Sequence, residues 1–131
     1  MYVIIVGCSS SGSILAKELA KRNIDVVVID KDKEAFKKLG LEFAGKTIVG
    51  DAFKQEVLQE ARITEADRFL ALTGDDNVNI VLAQIARKIY DVEKVVLCLS
   101  NPSKKELCKN EGVEIVFKSQ IIASSLREKI L

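Results

Sequence analysis

A doubly wound α/β domain, with a parallel sheet of about six strands and helices on both faces, is the fold this sequence predicts. Three observations carry the expectation. Apolar, β-branched runs alternate with helical segments from residue 2 to the end. The first run leads directly into a glycine-rich turn, Gly7–Gly12, which opens a helix. No linker or low-complexity stretch divides the 131 residues. Residues 1–131 therefore read as one domain, with expected strand order 3-2-1-4-5-6.

The first strand is YVIIV at 2–6, a continuous apolar run of the kind buried on both faces. Residues 12–22 follow helical spacing, with Ile14, Leu15, Leu19 and Ala20 on the apolar face. DVVVID at 25–30 is the second buried strand, and 33–40 is a short helix that Gly40 can end. Residues 46–51 form a third strand. Residues 54–61 form a helix with Val57, Leu58 and Ala61 inward, and 67–73 a fourth strand. The most regular helical pattern is 76–89, with Val78, Val81, Leu82, Ile85 and Ile89 in one stripe. A fifth strand follows at 94–100. Asn101-Pro102 reads as an N-cap and first helical position, starting a helix that runs to about Asn110. Residues 113–117 are the sixth strand, and a last helix runs from about Ser119 to the end.

Composition narrows the function classes. Apolar residues are 48% and charged residues 30%, the balance of a soluble globular domain. Lys+Arg is 20 against Asp+Glu 19 and no basic block stands out, which argues against nucleic acid and against membrane surfaces as partners. No apolar run is long enough for direct membrane insertion. The strand-like start carries no pattern of a signal peptide. Three cysteines without paired or metal spacing fit a reducing cytoplasm. There is no histidine, so the commonest general base and metal ligand is missing. Lys, Asp, Glu or Cys could still serve an enzyme, but the expectation of catalysis falls; no catalytic and no metal-ligating residue is assigned, and the chain is read as a non-enzyme.

The turn GCSSSG is a G-x-G-x-x-G phosphate loop whose middle glycine is Ser9. Gly7 permits the sharp turn after the first strand, and Gly12 lets the helix approach the sheet. Ser9 is small, and its hydroxyl can bond a phosphate. The helix start behind it offers free N–H groups. A plain serine-rich turn is the alternative. Asp30, 23 residues after Gly7, ends the second strand where a ribose-binding carboxylate belongs. It would accept both ribose hydroxyls and repel a 2′-phosphate; the alternative is a solvated acid starting a helix. Gly50-Asp51 closes the third strand, where Asp51 and the Ala52 backbone can reach an adenine edge, or Asp51 can cap the next helix. Thr73 and Gly74 close the fourth strand on the same rim. Asp75 or Asp76 caps the following helix or holds a Mg²⁺ beside a polyphosphate. Cys8, in a loop near a helix start, reads as a small buried filler.

The strings VIIVGCSSSGSILAKELAKRNIDVVVIDKD, IVGDAF, ALTGDDNVNIVLAQIARK and LCLSNPSKKELCKNEGVEIVF together resemble the TrkA-N (RCK/KTN) family. Its members are cytoplasmic nucleotide-binding regulatory domains of potassium channels and transporters. The resemblance covers essentially the whole chain, most specifically at Gly50-Asp51, 72–79 and 110–117. It implies a Rossmann-like fold that binds AMP, ADP, ATP or NAD(H). It also implies a homo-oligomer, a dimer or a ring of dimers, whose geometry the nucleotide biases. The ring would gate an integral-membrane potassium transporter or channel subunit at the inner face of the membrane. By motif position, Gly7, Cys8, Ser9, Ser10, Ser11 and Gly12 form the phosphate loop. Asp30 with Lys31 lies at the ribose, Asp51 and Ala52 near the adenine, and Thr73, Gly74 and Asn101 on the strand ends of the crevice. Two departures stand out. The family's loop arginine is replaced by Ser10, which speaks against ATP-selective sensing. The C-terminal lobe that often follows this domain is not expected in residues 1–131. The nearly all-round apolar character of 77–89, and Ile121, Ile122, Leu126, Ile130 and Leu131 in the terminal helix, independently suggest assembly. An NAD-dependent oxidoreductase cofactor domain, completed by a partner chain, is the alternative. A phospho-receiver built on Asp51 would need an acidic pair near residues 6–8, where the sequence reads VGC.

Overall fold

The computed structural model describes residues 1–108 and 112–131. Among the described residues six parallel strands form one sheet: β1 (Tyr2–Val6), β2 (Asp25–Asp30), β3 (Lys46–Val49), β4 (Arg68–Ala71), β5 (Lys94–Leu99) and β6 (Val113–Phe117). Their order is β3-β2-β1-β4-β5-β6, as expected from the sequence. Val3 pairs with Val26 on one side of β1 and with Arg68 on the other. The chain thus leaves β1 in one direction and returns across it before β4. This reversal opens a crevice at the carboxyl ends of the strands.

Alternation along the strands makes two cores. Ile4, Val6, Val27, Ile29, Phe69 and Leu97 face one layer, while Val3, Ile5, Val26 and Val28 face the other. Both faces are covered, so β1 and β2 can be apolar at every central position. Truncating a fully buried strand residue such as Ile5 to alanine costs about 2–5 kcal/mol.

Among the described residues four α-helices, with 3₁₀ segments between them, supply the layers: α1 (Ser10–Lys21), α2 (Gln55–Glu60), α3 (Asp76–Gln84) and α4 (Lys118–Ile130). The first helix starts two residues earlier than its spacing suggests, and its inner line differs. Gly12, Ser13 and Ala16 are buried, with Leu15 and Leu19 beside them, while Ile14 is 54% exposed. The contact of Gly12 with the loop fixes which side of the helix meets the sheet. Ile14, two residues on, then points away. Lys33–Leu39 is 3₁₀ rather than α, and Gly40 ends it at φ +78°.

In α3 the inner face is Asn79, Ile80, Leu82 and Ala83, continued by Ala86, with Val78 and Ile85 packed at its edge. Two members of the expected stripe, Val81 and Ile89, are exposed instead. The helix widens into a π turn over Ile85–Ile89, which shifts the side-chain phase and turns Ile89 outward. The segment after β5 is 3₁₀ over Pro102–Cys108. Asn101 Oδ1 accepts from Ser103 N at its start, and the expected end at Asn110 lies outside the described residues. No residue of α4 is buried. Ile121, Ile122, Leu126, Ile130 and Leu131 are each more than half exposed. Among the described residues, no helix is long and apolar enough to cross a membrane.

Candidate functional site

The turn between β1 and α1 needs both of its glycines. Gly7 has φ +109°, and a Cβ there would stand 2.6 Å from Leu72 O. A Cβ on Gly12 would stand 2.2 Å from Gly7 O. Between them Ser9 is the N-cap of α1. Its Oγ accepts from Gly12 N and donates to Leu72 O, each at 3.2 Å. The Ser9 hydroxyl proton is therefore directed into the protein, toward the end of β4, rather than to a phosphate. Ser13 N bonds Ser9 O at 2.8 Å as the first intrahelical bond. The N–H groups of Ser10 and Ser11 precede it, and they are what the helix start can offer an anion.

Asp30 ties the loop to β2. Its Oδ2 accepts from Cys8 N and its Oδ1 from Asp32 N, both at 2.8 Å. Cys8 itself is buried, and its Sγ lies 3.3 Å from Ala35 O. Burial first, then the negative charge of Asp30, pushes the thiol above its ordinary pKa; Lys38 and Lys17 oppose this only in part. A protonated, enclosed thiol is a filler and not a nucleophile. Lys38, from the 3₁₀ segment, donates from Nζ to Cys8 O at 3.1 Å.

The third and fourth strands complete the rim. Gly50 N donates to Asp30 O at 2.9 Å. Asp51 Oδ1 accepts from Phe53 N at 2.9 Å, so the acid holds its own turn and does not cap α2, whose N-cap is Lys54. Lys31 Nζ lies 4.0 Å from Asp51 Oδ2. Asn79, 1% exposed, braces the end of β4: its Oδ1 accepts from Thr73 N, and its Nδ2 donates to Thr73 O and Cys98 O. Asp75 caps α3 by accepting from Asn77 N and Val78 N. Asp76 reaches the end of β5 instead, accepting from Ser100 N at 2.8 Å and Asn101 N at 2.9 Å. Partial burial raises the Asp76 carboxyl. The two N–H bonds, with Lys104 and Lys118, outweigh that and hold it below the usual carboxylate range. Among the described residues no cluster of acidic or cysteine side chains can hold a metal ion.

A crevice of about 490 Å³ lies over these strand ends. It brings together Gly7, Cys8, Ser9, Asp30, Lys31, Asp51, Ala52, Thr73 and Gly74. Ser10, Ser11 and Gly12 are not part of the lining and form the first turn of α1 beside it, with Ser10 and Ser11 exposed. Asn101 is not part of the lining. Its side chain caps the Pro102–Cys108 segment, and its N–H is bound by Asp76. The lining also includes Asp32, Lys38, Phe53 and Val78, which sequence reasoning did not assign. Phe53 follows Asp51-Ala52 directly, and its 41% exposure makes it a candidate apolar wall. Lys38 has no such signal, because its place depends on how the 3₁₀ segment folds back over the loop.

The TrkA-N domain family model matches residues 3–119. Over all 131 residues the chain is 35% identical to the Trk system potassium uptake protein TrkA of Streptomyces coelicolor. It spans 59% of that protein's length, and 47% of the length of the Trk system potassium uptake protein TrkA homolog of Pyrococcus abyssi. Among solved structures, the TrkA-N domain of the inner membrane protein ybaL from Escherichia coli superposes with a TM-score of 0.87 at 19% identity, covering 99% of this chain and 96% of that one. The GsuK channel bound to NAD and GsuK bound to ADP superpose with TM-scores of 0.81 and 0.80. Both are 21% identical and cover 95% of this chain, against 23% and 33% of theirs. At these identities the structures speak for the fold, and the family match carries the assignment. The chain belongs to the TrkA-N domain family.

Proposed function

We propose that this chain is a nucleotide-binding regulatory domain of a potassium uptake transporter or channel. An adenine nucleotide occupies the crevice over β1 to β4, and its presence biases an oligomer that gates an integral-membrane partner at the inner face of the membrane. The observation that carries the reading is the junction of loop and acid. Asp30 Oδ2 holds Cys8 N at 2.8 Å, so ribose-binding carboxylate and phosphate loop form one rigid unit at the strand reversal. The phosphates lie against the Ser10 and Ser11 N–H groups, the ribose at Asp30 and Lys31, and the adenine near Asp51, Ala52 and Phe53. Thr73 and Gly74 bound the crevice on the β4 side.

Family membership supports the regulatory role, as do relatives named for potassium uptake. GsuK structures bound to ADP and to NAD support the ligand class. The crevice offers backbone donors, engaged carboxylates and a protonated thiol, a set suited to binding rather than to bond making. The partner-facing surface is α4 with Val81 and Ile89 of the α3 layer, whose apolar side chains are left open. Calorimetric titration with AMP, ADP, ATP and NADH, with identification of any nucleotide that copurifies, tests the reading. Micromolar binding of one of them is the expected result. No binding of any adenine nucleotide would refute it.

A further inference from the structure

Two lysines line the crevice, and their surroundings differ. Lys31 stands 4.0 Å from the Asp51 carboxylate. Lys38 makes its hydrogen bond to a neutral acceptor, Cys8 O, at 3.1 Å. Among the described residues no carboxylate forms a salt bridge with it. A lysine ammonium carries three donors. One is spent on the loop, which leaves two on an exposed side chain that lines the crevice. Asp30, the acid of the same wall, has each oxygen bound to a backbone N–H.

We propose that Lys38 is the specificity-determining residue for a phosphate group carried on the ribose of the bound nucleotide. This rests on the adenine-nucleotide reading above. The first helical residue, Ser10, brings no charge, so a phosphate at the helix start meets only the partial charges of N–H groups. Lys38 adds a full positive charge from the β2 side of the same loop, and its bond to Cys8 O holds the ammonium in place before a ligand arrives. A phosphate can reach that position from the 5′ carbon, as in AMP and ADP, or from the 2′ carbon, as in NADPH, where the Lys38 charge would have to offset the repulsion from Asp30.

The test uses the full chain, with Lys38→Met and Lys38→Arg compared with wild type. Calorimetry with AMP, ADP, 2′-AMP, NADH and NADPH, and displacement titration with adenosine, give the affinities. Lys38→Met is expected to bind a phosphorylated ligand about tenfold more weakly while adenosine is unchanged, the effect of one partly solvated charge-assisted bond. Lys38→Arg should restore most of it. Loss across AMP and ADP assigns the 5′-phosphate; loss confined to 2′-AMP and NADPH assigns the 2′-phosphate. Equal affinity of wild type and Lys38→Met for every phosphorylated ligand would overturn the proposal and leave the nucleotide site standing. An equal loss for adenosine and AMP would overturn it too, reducing Lys38 to a support of the loop. Failure of wild type to bind any of these ligands would instead overturn the nucleotide reading itself.

Discussion

Asp30→Ala removes two hydrogen bonds at once. The carboxylate accepts from Cys8 N and Asp32 N, both at 2.8 Å, so the variant loosens the phosphate loop and the start of the 3₁₀ segment before any nucleotide is present. Bonds to a charged acceptor contribute about 1.5–3 kcal/mol each. The Asp32 N–H lies in an exposed bond that water can replace, while the Cys8 N–H is partly buried. The sum is therefore about 2–3 kcal/mol. For a domain of this size each kcal/mol lowers the melting temperature by about 3–5 °C, so a fall of roughly 10 °C is expected in nucleotide-free protein. Affinity for AMP, ADP and NADH should fall by a further 1–3 kcal/mol, about ten- to a hundredfold, from the lost ribose contacts. Thermal unfolding followed by circular dichroism reads the first effect. Calorimetry, well below the variant's melting point, reads the second. An unchanged melting temperature would refute the loop-anchoring account. A lowered melting temperature with unchanged affinity would leave Asp30 as an anchor only and remove it from the ribose. Asp30→Asn should recover little, because its amide NH₂ faces the second N–H where an acceptor is needed.

Three further outcomes can be checked. Asp76 is held below its ordinary range, so its bonds to Ser100 N and Asn101 N stabilise the fold fully above about pH 4, and that stability is lost as pH falls through the depressed folded value. Urea midpoints measured between neutral and acid pH should converge for wild type and Asp76→Asn at the acid end, and a constant gap would contradict the linkage. Ser10→Arg should raise affinity for ATP over ADP by about 1–2 kcal/mol, since a γ-phosphate extends past the backbone donors of the loop; a wild-type protein that already prefers ATP tenfold would refute this. Light scattering at micromolar concentration should exceed the 14.5 kDa monomer mass, and Ile122→Glu with Leu126→Glu should lower it; a wild type that stays monomeric would remove α4 as an assembly surface.

Much of the fold is legible in local sequence because its signals are local. β1 and β2 are continuous β-branched runs, buried on both faces whatever their neighbours. Gly7 and Gly12 announce a turn that no side chain can enter. The spacing from Gly7 to Asp30 is one βαβ unit, so loop and carboxylate must meet at the same sheet edge. These features, with the alternation of elements, determined the sheet order and, together with the family resemblance, nine lining residues of the crevice. Contacts between distant segments were decided only in three dimensions. Gly12 against Gly7 O set the rotation of α1 and exposed Ile14. The π turn at Ile85–Ile89 broke the helical period and turned Ile89 out. Asp76 spans to Ser100 and Asn101, 24 and 25 residues away, and removes Asn101 from the crevice. Ser9 sends its hydroxyl to Leu72, and Lys38 reaches back 30 residues to the Cys8 carbonyl. Periodicity records which way a side chain points from its own element. It carries no record of which backbone group, from which other strand, will stand there to receive it.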